Sequence, residues 1–350
     1  MNQIKLKYPR IPLDVLKFHY KCLLIDLHVD SLLMWRLFRI NLCRLHTSPS
    51  IFPRGYLFFH ADVPRLRMGN VSAAFLGLVP KPFGRNRSHI NKMIKYAERI
   101  TKKLPNLCSM ARSAEDVVQA QKKRKTAFLL GLEGATGLDG NPKNVNYFAK
   151  RGVRYLGFVH FNKNFAASPG IGLGSKGGGL TPHGKIIVDE CIRNGVIIDL
   201  AHISPKGFFD IINRIPQKIP VIVSHTGINK AHRHKRNLND DQVVAIGATG
   251  GVVGIMNSSI FLGGNQLQDY VNHVLAARDL AGYRYVAIGS DFDGLIFPMR
   301  GLEDVTRYSS LTAALLEAGL PRNEVKAILG GNMLRVLKEI PPKFPLDSIS

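Results

Sequence analysis

The stretch Asp26-Leu27-His28-Val29-Asp30 closes the apolar run Cys22-Leu23-Leu24-Ile25. In a strand, His28 and Asp30 are two residues apart and share a face, so one metal ion can take both as ligands. Taken alone, such a pair is far more often two polar residues capping a strand end. Its meaning depends on whether other strands carry ligands to the same place.

Apolar, β-branched-rich runs recur along the chain at 22–30, 71–79, 126–133, 153–160, 195–202, 220–226, 251–257 and 285–291. Helical periodicity fills 88–104, 114–123, 182–194, 205–213, 240–248 and 267–281, with 303–318 and 322–338 after the last strand. Thr181-Pro182 supplies an N-cap with Pro at the first helical position, and Gly195 follows where that helix should stop. Strands buried on both faces and alternating with helices imply a parallel sheet. Eight such units predict an α/β fold, a single (β/α)8 TIM-type barrel with extra loops and C-terminal helices. The expected organisation is an N-terminal extension over 1–21, the barrel over 22–340 and a tail over 341–350. Segment 31–70, with its aromatic and basic cluster from Phe52 to Arg67, reads as a covering loop or an added helix.

In such a barrel the chemistry sits at the carboxyl ends of the strands. Those ends carry His28 and Asp30, then Glu133, His160, His202, His225 and Asp291. Six of the eight ends hold such residues, more than the 12 His and 25 Asp+Glu of the whole chain would place there by chance. Histidines and carboxylates without a thiolate suit zinc or a similar divalent ion in a water-open site. Five ligands are too many for one such ion. Two ions sharing one carboxylate resolve the count, with Glu133 as the bridge, His28 and Asp30 on one side, and His202 and His225 on the other. Asp291 is then left to move protons.

Together these segments resemble the membrane dipeptidase (renal dipeptidase) family of dinuclear zinc peptidases among the amidohydrolase-type barrels. The motifs run in order: Asp26 to Asp30; Gly131-Leu-Glu-Gly134; Gly152 to His160; Gly179-Leu-Thr-Pro182; Ile198 to Ser204; Pro220 to His225; Lys235-Arg-Asn237; and Gly289 to Gly294. The resemblance implies a zinc dipeptidase that cleaves free dipeptides, including those with a C-terminal D-residue, through a metal-bridging hydroxide. It implies one zinc on His28, Asp30 and Glu133 and a second on Glu133, His202 and His225. It also gives His160 and Arg236 to the substrate and its oxyanion, and Asp291 to acid/base work; Arg236 lies outside the strand-end pattern. The chain departs from the family where Gly134 is followed by Ala135, and in an entry region whose only Trp is Trp35, which bears on substrate preference.

The net charge of +23 is spread over runs such as Lys81 to Arg87, Lys122 to Lys125 and Arg233 to Arg236, without aromatic interleaving. That pattern predicts a solvated basic surface able to attract anionic substrates, not a nucleic-acid partner. Cys22, Cys43, Cys108 and Cys191 form no Cys-x-x-Cys and suit a reducing, cytoplasmic setting. Residues 1–21, with Lys5, Lys7, Arg10 and Lys17, show no secretory pattern and are compatible with an organellar leader, and no run is apolar enough to insert in a membrane. The expected partner is a small dipeptide; a homodimer is compatible with the sequence.

Asp199 and Asp293 read as groups that orient ligands, and His46, His60, His89, His183, His232, His234 and His273 as structural or exposed. Gly172-x-Gly174-x-x-Gly177 imitates a dinucleotide fingerprint, but a polar stretch from Phe161 to Pro169 separates it from the preceding strand. A loop over the active site is the better reading. Two further functions fit parts of the pattern. A related amidohydrolase or deaminase would keep the ligands without needing Arg236, and a non-enzymatic binding barrel would tolerate their loss.

Overall fold

Each of the eight apolar runs becomes a strand, and the eight strands close on one another. The computed structural model describes residues 11–46 and 57–346. Its strands are β1 (Ile25–Val29), β2 (Ala73–Leu78), β3 (Cys108–Met110), β4 (Thr126–Glu133), β5 (Val153–Gly157), β6 (Ile197–Asp199), β7 (Ile222–Thr226), β8 (Val252–Ile255) and β9 (Val286–Ile288). Every pairing between them is parallel. The β2–β4 pairing, from Ala73↔Ala127 to Leu78↔Leu132, closes the ring. The fold is therefore a (β/α)8 barrel, to which β3 is added beside the start of β4.

Ile25, Leu27, Phe75, Leu129, Tyr155, Ile197, Ile222, Val252 and Ala287 form one buried cluster drawn from all eight barrel strands. This is the filled interior typical of such barrels, and the helix Asn332–Glu339 adds Met333, Val336 and Leu337 to it. A second cluster packs the strands' outer faces against the helices.

The helix Pro182–Asn194 starts and stops where the sequence predicts. Thr181 Oγ1 accepts from Gly184 N at 3.0 Å, and Gly195 takes the left-handed conformation with φ 61°. Among its described residues, segment 31–70 holds two helices, Ser31–Phe38 and Val63–Met68, so the alternative of an added helix is met. Phe52 to Tyr56 of its aromatic cluster, Lys5, Lys7 and Arg10 of the N-terminal extension, and 347–350 of the tail lie outside the described residues. The N-terminal segment contributes the helix Leu13–Lys21. The predicted helix 322–338 is broken by a π-turn at Ala327–Gly331, where a side chain at Gly330 would lie 2.5 Å from the Leu23 carbonyl oxygen. At the amino end of the strands, Arg154 Nη2 donates to Ile340 O at 2.6 Å and Arg112 Nη1 to Phe344 O at 3.0 Å, strapping 340–344 across the barrel's base.

Candidate active site

Several strands are shorter than their apolar runs, and the difference shapes the site. β6 ends at Asp199 and β9 at Ile288, so His202 and Asp291 stand on the turns beyond, with φ of 64° and 61°. His160 likewise follows the end of β5 at Gly157. Left-handed backbone at a non-glycine residue is strained and here swings each side chain inward. In β1 the pairing register slips between Asp26 and Val29. This irregularity lets Asp26 turn to Ser290 and Tyr308 while His28, two residues on, turns to Glu133.

Seven of the eight sequence-predicted side chains converge around the Glu133 carboxylate. Its Oε2 lies 3.6 Å from His28 Nε2, which is 3.1 Å from Asp30 Oδ1. Its Oε1 lies 3.1 Å from His202 Nε2, 3.6 Å from His225 Nε2 and 3.7 Å from His160 Nε2. Asp291 Oδ1 is 3.9 Å from His28 Nε2. Arg236, the eighth, is buried beside them, with Nη2 donating to the His225 carbonyl at 2.9 Å. The side chain of His160 is 34% exposed, whereas those of His28, Asp30, Glu133, His202 and His225 are buried, so His160 forms the open edge.

The donor atoms fit divalent cations. His28, Asp30 and Glu133 form one cluster and Glu133, His202 and His225 another, with potential ligand atoms within 4.8 Å of one another in each. His28 Nε2, Asp30 Oδ1 and Glu133 Oε2 are buried without a hydrogen-bond partner, a costly arrangement that a cation would relieve. His202 Nε2 and His225 Nε2 are 2.8 Å apart; two lone pairs so placed repel unless a proton or a cation lies between them. The set is nitrogen and oxygen only, as zinc-type ions accept.

Neighbouring residues select the ring tautomers. Ser224 Oγ donates to Asp199 Oδ2 at 2.7 Å, which leaves it to accept from His225 Nδ1 at 2.9 Å and frees Nε2 for the centre. Tyr155 Oη stands 2.6 Å from His28 Nδ1, so that nitrogen is engaged and Nε2 is the one that faces the centre. Asp293 accepts from Ser31 Oγ and, at 2.8 Å, from His60 N, joining the residue after Asp30 to the Asp291 loop. Both aspartates therefore orient the site, and His60 belongs to this support. Tyr155 and Ser224 were not singled out by the sequence. For Tyr155 the available signal was a phenol inside an apolar strand, whose hydroxyl must find a partner.

Burial raises the Glu133 carboxyl, but His160, His28 and His202 outweigh it and hold it well below the usual range. Burial lowers the His202 and His225 imidazoles, with Arg236 adding to the effect in both and His28 in His225; both fall well below the usual value, as neutral ligands require. Burial also lowers His28, but Tyr155, Glu133 and Asp30 lift it well above. Asp291 is pushed well above the carboxylate range by burial, against His28 and Arg236 and with the help of Asp30 and Glu133.

The glycine decoy forms a loop beside the open edge. Gly172, at φ 104°, leaves no room for a side chain against the Phe161 carbonyl oxygen, and Asn162 bridges to Leu173. No dinucleotide turn at a strand end is formed there.

Fold and site thus define a metal-dependent hydrolase barrel, and comparison with known proteins narrows the class. The profile of the membrane dipeptidase family, peptidase family M19, matches residues 15–342. Dipeptidase tcpJ of Claviceps purpurea is 31% identical over 298 residues, 80% of this chain and 69% of that protein. Dipeptidase verJ of Clonostachys rogersoniana is 29% identical over 296 residues, 80% and 76% of the two chains. Among solved structures, the probable dipeptidase PvdM from Pseudomonas aeruginosa superposes with a TM-score of 0.80 at 21% identity, covering 95% of this chain and 99% of that one. A Rhodobacter sphaeroides metallo peptidase liganded with a phosphinate mimic of L-Ala-D-Ala gives 0.79 at 22% identity, covering 91% and 99%. The chain belongs to the membrane dipeptidase family and is a metallo-dipeptidase. Among the described residues, no helix is long and apolar enough to cross a membrane.

Proposed function

We propose that this chain is a zinc-dependent dipeptidase that hydrolyses free dipeptides, including those with a D-residue at the C-terminal position. The observation that carries the reading is Glu133, whose two oxygens face different ligands, Oε2 3.6 Å from His28 and Oε1 3.1 Å from His202. Two ions held by His28, Asp30 and Glu133, and by Glu133, His202 and His225, would supply Lewis acidity and an activated water.

The protein's own groups do the rest. Asp291, whose Oδ1 lies 3.9 Å from His28 Nε2 at the edge of the ligand cluster, takes the proton of the attacking water and returns it to the leaving amine. His160, at the open edge, donates from its ring to the developing oxyanion. Arg236 spends one N–H on the His225 carbonyl and turns the remaining fork to the substrate's free carboxylate. A buried cation for that carboxylate favours dipeptides over longer chains. Acceptance of a C-terminal D-residue is supported by the likeness to the Rhodobacter sphaeroides peptidase bound to an L-Ala-D-Ala mimic. The four free cysteines support a cytoplasmic setting.

Metal analysis and a panel of L,L- and L,D-dipeptides test the proposal. About two zinc-type ions per chain and turnover on the panel are expected. Asp291→Asn should abolish turnover while the metal stays bound; a metal-loaded protein inert on every dipeptide would end the peptidase reading.

A further inference from the structure

The basic run Lys122–Lys125 has no part in the site at the carboxyl ends of the strands. It lies at the opposite end of the barrel, where the helix Ala114–Lys122 turns into β4. There Lys122 and Arg124 line a cavity of about 530 Å³ together with Arg67, Tyr20, Asn70 and Ser72. Its volume lies within the usual span of small-molecule sites, roughly 300–1,000 Å³.

The lining holds three cations and no carboxylate. Among the described residues, the Arg67 guanidinium reaches only the Val71 carbonyl, at a long 3.5 Å. Burial and the like charge of Arg124 both press on it. Two unneutralised guanidiniums facing one cavity repel each other, and an anion between them removes the repulsion.

The arrangement is fixed by backbone. Arg124 has φ 54° at the position after a helix end where glycine or asparagine is usual. Its N–H donates to Gln121 O and that of Lys125 to Ala120 O, both at 2.9 Å, so the turn is closed. Arg67 projects from the helix Val63–Met68, and Asn70, at φ 58°, donates Nδ2 to His19 O at 2.9 Å and Cys22 O at 3.2 Å. Ser72 Oγ accepts from Leu24 N at 3.2 Å and keeps its O–H to give. The long side chain of Arg124 thus stands on a left-handed backbone and lines the cavity.

We propose that this cavity binds a phosphate-bearing small anion, held by Arg67, Arg124 and Lys122 with Ser72 as a neutral donor. The cavity exceeds a single phosphate group, so the natural ligand is a phosphate monoester with an organic body lying along Tyr20 and Asn70. This site is separate from the metal centre and does not depend on the peptidase reading.

Calorimetric titration of the purified, metal-loaded protein with inorganic phosphate and with glycerol 3-phosphate, at constant ionic strength, tests it. A saturable class of sites is expected, weakened at least about tenfold in the double variant Arg67→Gln/Arg124→Gln and largely kept in Arg67→Lys/Arg124→Lys. Arg85→Gln/Arg87→Gln, in a different basic cleft, should bind as the parent does. The far-ultraviolet spectrum and denaturant midpoint of the Gln double variant should match those of the parent, which shows that it folds. Absence of a saturable class, or equal phosphate binding by parent and Gln variant, overturns the proposal; phosphate held at the metal centre would give the latter result.

Discussion

The hydroxyl of Tyr155 holds one nitrogen of His28 and turns the other to the centre. With Nδ1 engaged at 2.6 Å, Nε2 is the nitrogen that faces Asp30 and Glu133. Tyr155→Phe should therefore cost about 10–100-fold in metal affinity, with much of kcat recovered at saturating metal. Chelator competition and activity against added zinc read the two separately, and unchanged affinity would remove Tyr155 from the site. His28, Asp30, Glu133, His160, His202, His225 and Asp291 could be found from sequence because a parallel barrel gathers whatever stands at its strand ends. Arg236 stands in a loop after β7, held there by Asn237 Nδ2 donating to His232 O and Phe261 O at 2.9 and 2.8 Å; no periodicity marks such a place, and only the family resemblance did. Tyr155 was hidden for another reason: its partner is 127 residues away.

Strands bring these residues together only where neighbouring strands give them space. A Cβ on Gly77 of β2 would lie 1.9 Å from Asp30 Oδ1 and 3.2 Å from His28 Cε1. One on Gly131 of β4 would strike the Tyr155 ring at 2.0 Å. Gly77→Ala should displace Asp30, so that bound metal and turnover fall together while the far-ultraviolet spectrum stays that of the parent. Overpacking of this kind costs about 1–3 kcal/mol, which a barrel of this size can absorb. Normal metal content in that variant would show that Asp30 does not need its present position. The eight barrel strands were legible because double burial writes continuous apolar runs. β3, only three residues long, is set by its pairing with Thr126 to Phe128 and leaves no such mark. The early ends of β6 and β9 were not legible either, since strained turns at His202 and Asp291 follow from tertiary contacts.

Across the whole molecule, two histidines remote from the metal centre couple folding to pH. His273 Nδ1 accepts from Ile228 N at 2.8 Å, a bond that requires the neutral ring, and burial lowers its pKa to about 4. His19 joins the helix Leu13–Lys21 to Thr312 at 2.8 Å and is lowered by burial to about 4 as well. The unfolded chain takes up these protons at a higher pH than the folded one. Their stabilising contribution is therefore present above the ordinary histidine value of about 6.5 and is lost as pH falls from there towards 4, on the order of 1–2 kcal/mol each by pH 5. Denaturant midpoints of chelator-treated protein should drop over this window, and His273→Gln should lose part of the slope; a parent midpoint that is flat from pH 7 to 5 would contradict the assignment.

The strap formed by Arg154 and Arg112 on 340–344 also sets how the enzyme can be fastened to a solid. Lys343 is exposed on that strap, at the end of the barrel away from the mouth. Of the native thiols, Cys22, Cys108 and Cys191 are buried and Cys43 is partly covered. A cysteine placed at Lys343 would be the thiol most open to a maleimide-coated bead. The barrel would then stand on its base, with the catalytic opening turned to the flowing liquid.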